Sequence, residues 1–249
     1  MTSGADRGFV LRTWPLREAD LIVSLYSHES GKVRGVARGA RRPKARWAGA
    51  LDSLTEISFQ WKAREGEELL SLTDGSIIRS PYHAVPELDV TWTLAFVAEL
   101  VHEGAPPHDA DVVLYRLCRT TVDALLAGRP ARAVALYAEA WLLRLHGMLP
   151  DIAACAGCKR GIAAEGGTWH WSVHGIACAA CIPWGADAGP SVLPDDLAFL
   201  AEIQRRSPLD ATPPTPASAR RLRVFLRHVT RDFLGKELKS ERFLDELDA

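Results

Sequence analysis

The chain has 249 residues, 47% hydrophobic and 24% charged, with 30 Lys or Arg against 31 Asp or Glu and a formal net charge of -1. These totals exclude a disordered or fibrous chain, and no stretch reaches the roughly 18 uninterrupted apolar residues that a membrane-spanning helix needs. Attraction to a polyanion therefore has to come from charge segregated along the chain.

Residues 7 to about 80 favour strands: "GFVLRTW", "DLIVSLYS", "KVRGVARG", "LTEISFQW" and "ELLSLTDGSII" are short apolar and aromatic runs separated by turn formers. In the fourth run Thr55, Ile57, Phe59 and Trp61 share one face, and Glu56, Ser58 and Gln60 the other. "SHESGK" reads as a hairpin connection in which Gly31 is free to take positive φ. Five short strands suggest a small barrel of the oligonucleotide-binding (OB) or SH3-like kind, with the OB-fold preferred.

After "SPYHAVP" the spacing turns helical, predicting helices at about 86–103, 109–127 and 131–147, the third apolar on most of its circumference and stopped at Gly147. A cysteine-rich insert at about 151–184 follows. Then come a helix near 195–206, a proline-rich loop, a helix at about 217–234 and a charged tail. The fold class is thus α+β, with an N-terminal barrel (1–80) and a helical domain (81–249) that carries the insert.

Cys155, Cys158, Cys178 and Cys181 spell C-x2-C-x19-C-x2-C. Two intervening residues aim each pair of sulfurs at one point, and the longer connection brings the second pair opposite, as in a zinc ribbon. Four thiolates leave no open position on the ion, so one structural Zn²⁺ per chain is expected. His170 and His174 lie between the pairs and read as surplus hairpin residues; Cys118 reads as a small core residue. The N-terminus lacks a secretory pattern, so a cytoplasmic chain with reduced thiols is expected.

Enzyme signatures are missing. "SGKV" and "LGKE" do not complete a phosphate-binding loop, no G-x-S-x-G or H-E-x-x-H occurs, and no His is followed two places later by Glu as in a zinc deaminase. A non-enzymatic protein is expected. "GKVRGVARGARRPKARW", residues 31 to 47, instead concentrates seven Lys or Arg without an acid. Lys32 and Arg34 can share a strand face, while Arg38, Arg41, Arg42, Lys44 and Arg46 read as a mobile loop. Phosphates would relieve the mutual repulsion, and released counterions would supply affinity without sequence preference. Tyr26, Trp47, Phe59 and Trp61 either stack bases or fill the barrel.

These residues resemble the N-terminal barrel of the RecO family of bacterial recombination mediators: G-x-V-L-R, then E-x-D-L-I-V, then G-K-x-x-x-x-A-R-G-A-R-R. The likeness continues through the helices and the cysteine insert to "KELKSERFL". It implies a DNA repair and recombination protein of the RecF pathway, cytoplasmic and nucleoid-associated, built from an OB-fold barrel, a helical domain and often a zinc ribbon. Such a protein binds single- and double-stranded DNA, anneals complementary strands without nucleotide hydrolysis, and works with RecR to load RecA onto strands coated by single-strand-binding protein. Lys32, Arg34, Arg38, Arg41 and Arg42 match the family motif as DNA contacts; Lys44 and Arg46 extend it on charge alone.

In the last long helix Leu222, Phe225, Leu226, Val229 and Phe233 face inward beside a stripe of Arg220, Arg223, Arg227 and Arg231. The resemblance implies contact with the acidic, hydrophobic C-terminal tail of the single-strand-binding protein, and Arg223, Arg227 and Phe225 are candidates for it. The rival reading is a non-catalytic RNA-associated or protein-docking module in which the zinc ribbon and helical domain are the working surface.

Overall fold

The computed structural model describes residues 2–42, 47–64, 66, 68–82, 87–181 and 188–246. All five predicted runs are strands: β1 (Thr2–Pro15), β2 (Leu21–Ser27), β3 (Gly31–Ala37), β4 (Glu56–Ala63) and β5 (Leu70–Arg79). They close a barrel in the order β1-β2-β3-β5-β4. Closure depends on the length of β1, whose first half pairs with β4 and whose second half pairs with β2, antiparallel in both cases. A register shift between Val10 and Arg12 bends the strand where it changes partner. Only β3 and β5 run parallel. This is the OB arrangement, with every edge paired.

Alternation explains the barrel interior. Val33, Gly35 and Ala37 of β3 point inward and are buried, while Lys32, Arg34 and Val36 point outward. Val10, Val23, Leu25, Ile57, Phe59 and Leu72 join them in one core with Trp47. Trp47 lies where Gly75 offers no side chain; a Cβ there would strike the indole. Tyr26, Trp47 and Phe59 are therefore structural rings, each at most 3% exposed. Trp61 is half-buried against the same core.

Gly31 takes φ +66° in the β2–β3 connection, and any side chain there would collide with the Asp109 carbonyl. Helices α1 (Leu88–Gly104) and α2 (Val112–Leu126) follow the barrel. Compactness divides the chain after Val122, so the barrel, α1 and most of α2 form one unit and residues 123–249 another; the sequence pattern sets the barrel apart at residue 80. Within the first unit α1 packs on β1 and β2, and Cys118 of α2 is wholly buried.

Glu56 departs from the strand pattern. It sits on the polar side of β4 yet is only 1% exposed, because Tyr115 of α2 covers that side and donates a 2.8 Å hydrogen bond to its carboxylate. Arg79 lies 3.5 Å from its other oxygen.

The second unit contains α3 (Ala131–Leu145), α4 (Pro194–Ile203), α5 (Pro216–Leu234) and α6 (Glu241–Glu246), together with a three-stranded sheet ordered β7-β6-β8. Its strands are β6 (Gly167–His170), β7 (Gly175–Ala177) and β8 (Ala188–Val192). Gly147 stops α3 as expected, at φ +68°. The start of α5 is fixed by Thr215, whose hydroxyl accepts from the Ser218 amide at 3.2 Å, and by Pro216 in its first turn. Its end is fixed by Gly235 at φ +66°. The charged tail is the exception to the sequence reading: residues 241–246 form α6, held by arginines of α5.

Candidate nucleic-acid interface and metal centre

The cationic edge starts on the outward face of β3. Lys32 donates from Nζ to the His102 carbonyl at 2.6 Å, which fixes its position without neutralising its charge. Arg34 is exposed and stands 3.8 Å from the still more exposed Glu68. An ion pair so open to water is worth little. Arg38, Arg41 and Arg42 are exposed as well, and among the described residues none of the three has an ion-pair partner.

The segment that carries them, read from its Gly, Pro and charges as a loop, is anchored along its first half. Gly39 donates its amide to the Asp20 carboxylate at 2.8 Å, and Arg41 donates its amide to the Ala19 carbonyl at 3.0 Å. Both anchors belong to the β1–β2 connection, so charge and scaffold are tied together within the barrel. Lys44 and Arg46 lie outside the described residues.

Beside this loop a concavity of about 460 Å³ is lined by Leu16, Arg17, Asp20, Val36, Arg38 and Leu70, among others. Arg17 escaped the sequence reading because it stands outside the dense run; its signal was its place in the hairpin connection next to Asp20.

Four sulfurs gather in the second unit. The Sγ atoms of Cys155, Cys158, Cys178 and Cys181 all lie within 4.8 Å of one another, and Cys158 and Cys178 are 3.8 Å apart. That spacing is far too long for a disulfide and equals the edge of a tetrahedron built on metal–sulfur bonds of about 2.3 Å. The local backbone is shaped to this cluster. Lys159, just after the first pair, takes φ +62° and donates its amide to the Cys155 carbonyl at 3.0 Å. A Cβ on Gly157 would sit 3.2 Å from the Cys181 sulfur, and one on Gly175 would press Ala156 at 2.6 Å.

Burial pushes the Cys155 thiol up, but the backbone amides of Cys178, Cys158 and Gly157 outweigh it and bring the group down to about 6. The Cys178 amide contributes a 3.3 Å bond to that sulfur. The neighbouring sulfurs in turn push Cys181 up to about 12, so the four share negative charge that a cation would relieve; Zn²⁺ would take all four sulfurs and fasten the ribbon. His170 and His174 are not among the clustered ligands. His170 is a buried β6 residue, and His174 stands 3.3 Å from Asp232 of α5.

Two of the candidate arginines of α5, Arg223 and Arg227, are engaged by the chain's own acids, while Arg220 is exposed. Arg223 is buried, donates to Glu139 of α3 at 3.0 Å and lies 3.9 Å from Glu241. Arg227 pairs with Glu241 at 2.8 Å and Asp245 at 2.6 Å, both in α6. Arg231 pairs with Glu237 at 2.9 Å. Phe225 is fully buried. The apolar row faces inward as expected, but the middle of the stripe beside it, Arg223 and Arg227, is taken up by the chain's own acids, while Arg220 and Arg231 at its ends stay exposed.

Comparison with known proteins agrees with this architecture. Residues 1–81 match the family model "Recombination protein O N terminal", and residues 87–242 match "Recombination protein O C terminal". The chain is 31% identical to the DNA repair protein RecO of Koribacter versatilis, with 98% of each chain covered. It is 34% identical to the RecO of Anaeromyxobacter sp. strain Fw109-5, covering 96% of this chain and 94% of that one. The Bacillus subtilis RecO is 27% identical, with 97% and 94% covered. No described helix is long and apolar enough to cross a membrane. The chain belongs to the RecO family of DNA repair and recombination proteins.

Proposed function

We propose that this chain is a non-enzymatic recombination mediator that grips single- and double-stranded DNA along the cationic edge of its barrel. Lys32, Arg34, Arg38, Arg41 and Arg42 contact phosphates, extended by Lys44 and Arg46. The observation that carries the reading is that Arg38, Arg41 and Arg42 are exposed with no acidic partner among the described residues, on a segment anchored to the barrel at Gly39 and Arg41. A fixed cluster binds phosphate without first breaking internal pairs, and each neutralised phosphate releases condensed counterions.

Two strands held this way repel each other less, so complementary bases meet more often and annealing needs no nucleotide hydrolysis. With RecR, the same grip assists loading of RecA onto strands coated by single-strand-binding protein. Contact with that protein's acidic tail at α5 requires the tail to replace Asp245 on Arg227; Phe225 and Arg223 serve as the packed base beneath.

The test is annealing of complementary labelled strands by purified protein without nucleotide, comparing wild type with an Arg38→Ala, Arg41→Ala, Arg42→Ala variant. Annealing by wild type and its loss in the variant support the reading. Equal annealing by both would move the working surface elsewhere and favour a docking module.

A further inference from the structure

The geometry points to a nucleotide pocket on the outer flank of β3 that takes one unpaired base of a bound strand. It rests on the reading that DNA lies along this edge. The pocket measures about 510 Å³ and is lined by Trp14, Lys32, Arg34, His102 and His108, with Glu68 also at its wall. That volume falls in the range of small-ligand sites, roughly 300–1,000 Å³. Rings and cations share its lining: Trp14 and His102 stand 5.4 Å apart at 59°, and Lys32 and Arg34 line the same pocket. Such a lining matches a base that stacks and a phosphate that pairs.

The walls are built rather than incidental. His108 adopts φ +55°, a left-handed conformation rare for a residue with a side chain. Its amide donates to the Lys32 carbonyl at 3.1 Å, and Pro107 bridges the same β3 residue. The loop after α1 is thereby stitched to the strand that carries the cations. Lys32 is held by the His102 carbonyl, and Trp14 is steadied by the Arg12 guanidinium 5.1 Å from its ring. Only the exposed Glu68 approaches Arg34 among the described residues. A nucleotide phosphate would take that place, leaving its base against the rings. Duplex DNA keeps its bases stacked, so the pocket adds affinity for single strands alone.

The experiment measures binding of a short labelled oligothymidylate, a strand of equal length made of abasic sugars, and a duplex. Wild type and Trp14→Ala are compared, with Trp14→Phe as the conservative variant. The expected result is that wild type prefers the thymidylate over the abasic strand by roughly tenfold. Trp14→Ala loses that preference, while its binding to abasic strand and duplex stays unchanged, and Trp14→Phe keeps most of it. If circular dichroism shows that Trp14→Ala does not fold, Trp14→Leu keeps apolar bulk without a ring and is read the same way. Equal weakening on all three nucleic acids would overturn the pocket, as would a wild type indifferent to base removal. Trp14-dependent binding of free thymidine monophosphate with no preference in the strand would overturn it too. In each of those cases binding to the phosphate chain still stands; absence of binding to every strand would instead overturn the DNA reading itself.

Discussion

The guanidinium of Arg223 meets the carboxylate of Glu139 at 3.0 Å, with both side chains almost completely removed from water. This pair joins α5 to α3, and Thr230 adds a 2.8 Å hydrogen bond to the same carboxylate. Removing one member of such a pair strands the other charge. Arg223→Ala should therefore destabilise the protein by about 3–5 kcal/mol in urea unfolding. Replacing both by apolar residues, Arg223→Met with Glu139→Leu, should cost far less than the single change, and a double variant as unstable as Arg223→Ala would contradict this.

The same carboxylate sets a pH dependence. Burial raises Glu139 above the ordinary carboxylate range, a rise only partly opposed by Arg223. Burial likewise raises Glu241. A raised folded value means that the folded chain holds protons which the unfolded chain releases. This contribution is fully present below the ordinary carboxylate pKa and is lost as pH rises through the folded values. Glu139→Gln should flatten that fall in stability. Arg223→Ala should extend it to higher pH, because Glu139 then stays protonated further up the scale, and parallel pH profiles for the three proteins would count against the assignment.

Metal content tests the ribbon. Purified protein should contain about one zinc per chain, and Cys155→Ser or Cys178→Ser should lose it along with thermal stability of the second unit. Gly157→Ala should weaken retention against a chelator, since its methyl group would crowd the Cys181 sulfur at 3.2 Å. A zinc-free protein of unchanged stability would rule out a structural role for the cluster.

The arginine–acid contacts on α5 yield a competition prediction. Asp245 is about half exposed where it caps Arg227, so Asp245→Asn should change stability by less than about 1 kcal/mol. Affinity for an acidic peptide ending in a free carboxylate should rise severalfold in that variant. Unchanged affinity in calorimetry would detach such peptides from this helix.

Much of this architecture was legible in the sequence, for reasons that differ by element. Short apolar and aromatic runs between turn formers located all five barrel strands, with clean alternation in the fourth; the cysteine spacing located the cluster, because two short turns must aim four sulfurs at one point. What escaped depends on contacts between distant residues. Glu56 obeys the period of its strand, and only Tyr115, 59 residues away, makes its outer side an interior. The α5 arginines look solvated along one helix until Glu139, Glu241 and Asp245 arrive from elsewhere. α6 is too short and charged to announce itself by periodicity. The anchoring of Gly39 and Arg41 to residues 19 and 20 is likewise invisible locally, and it ties the first part of the loop to the barrel. The proposed DNA-contact residues were marked by charge density and by the family motif.

The most direct measurement is the affinity for short single-stranded DNA across a salt series, with wild type beside the Arg38→Ala, Arg41→Ala, Arg42→Ala variant. Wild type should show a steep negative slope of log affinity against log salt, and the variant a slope shallower by roughly 0.7 for each phosphate that is no longer neutralised. Identical slopes and affinities in the two proteins would contradict the claim that this edge of the barrel holds the DNA.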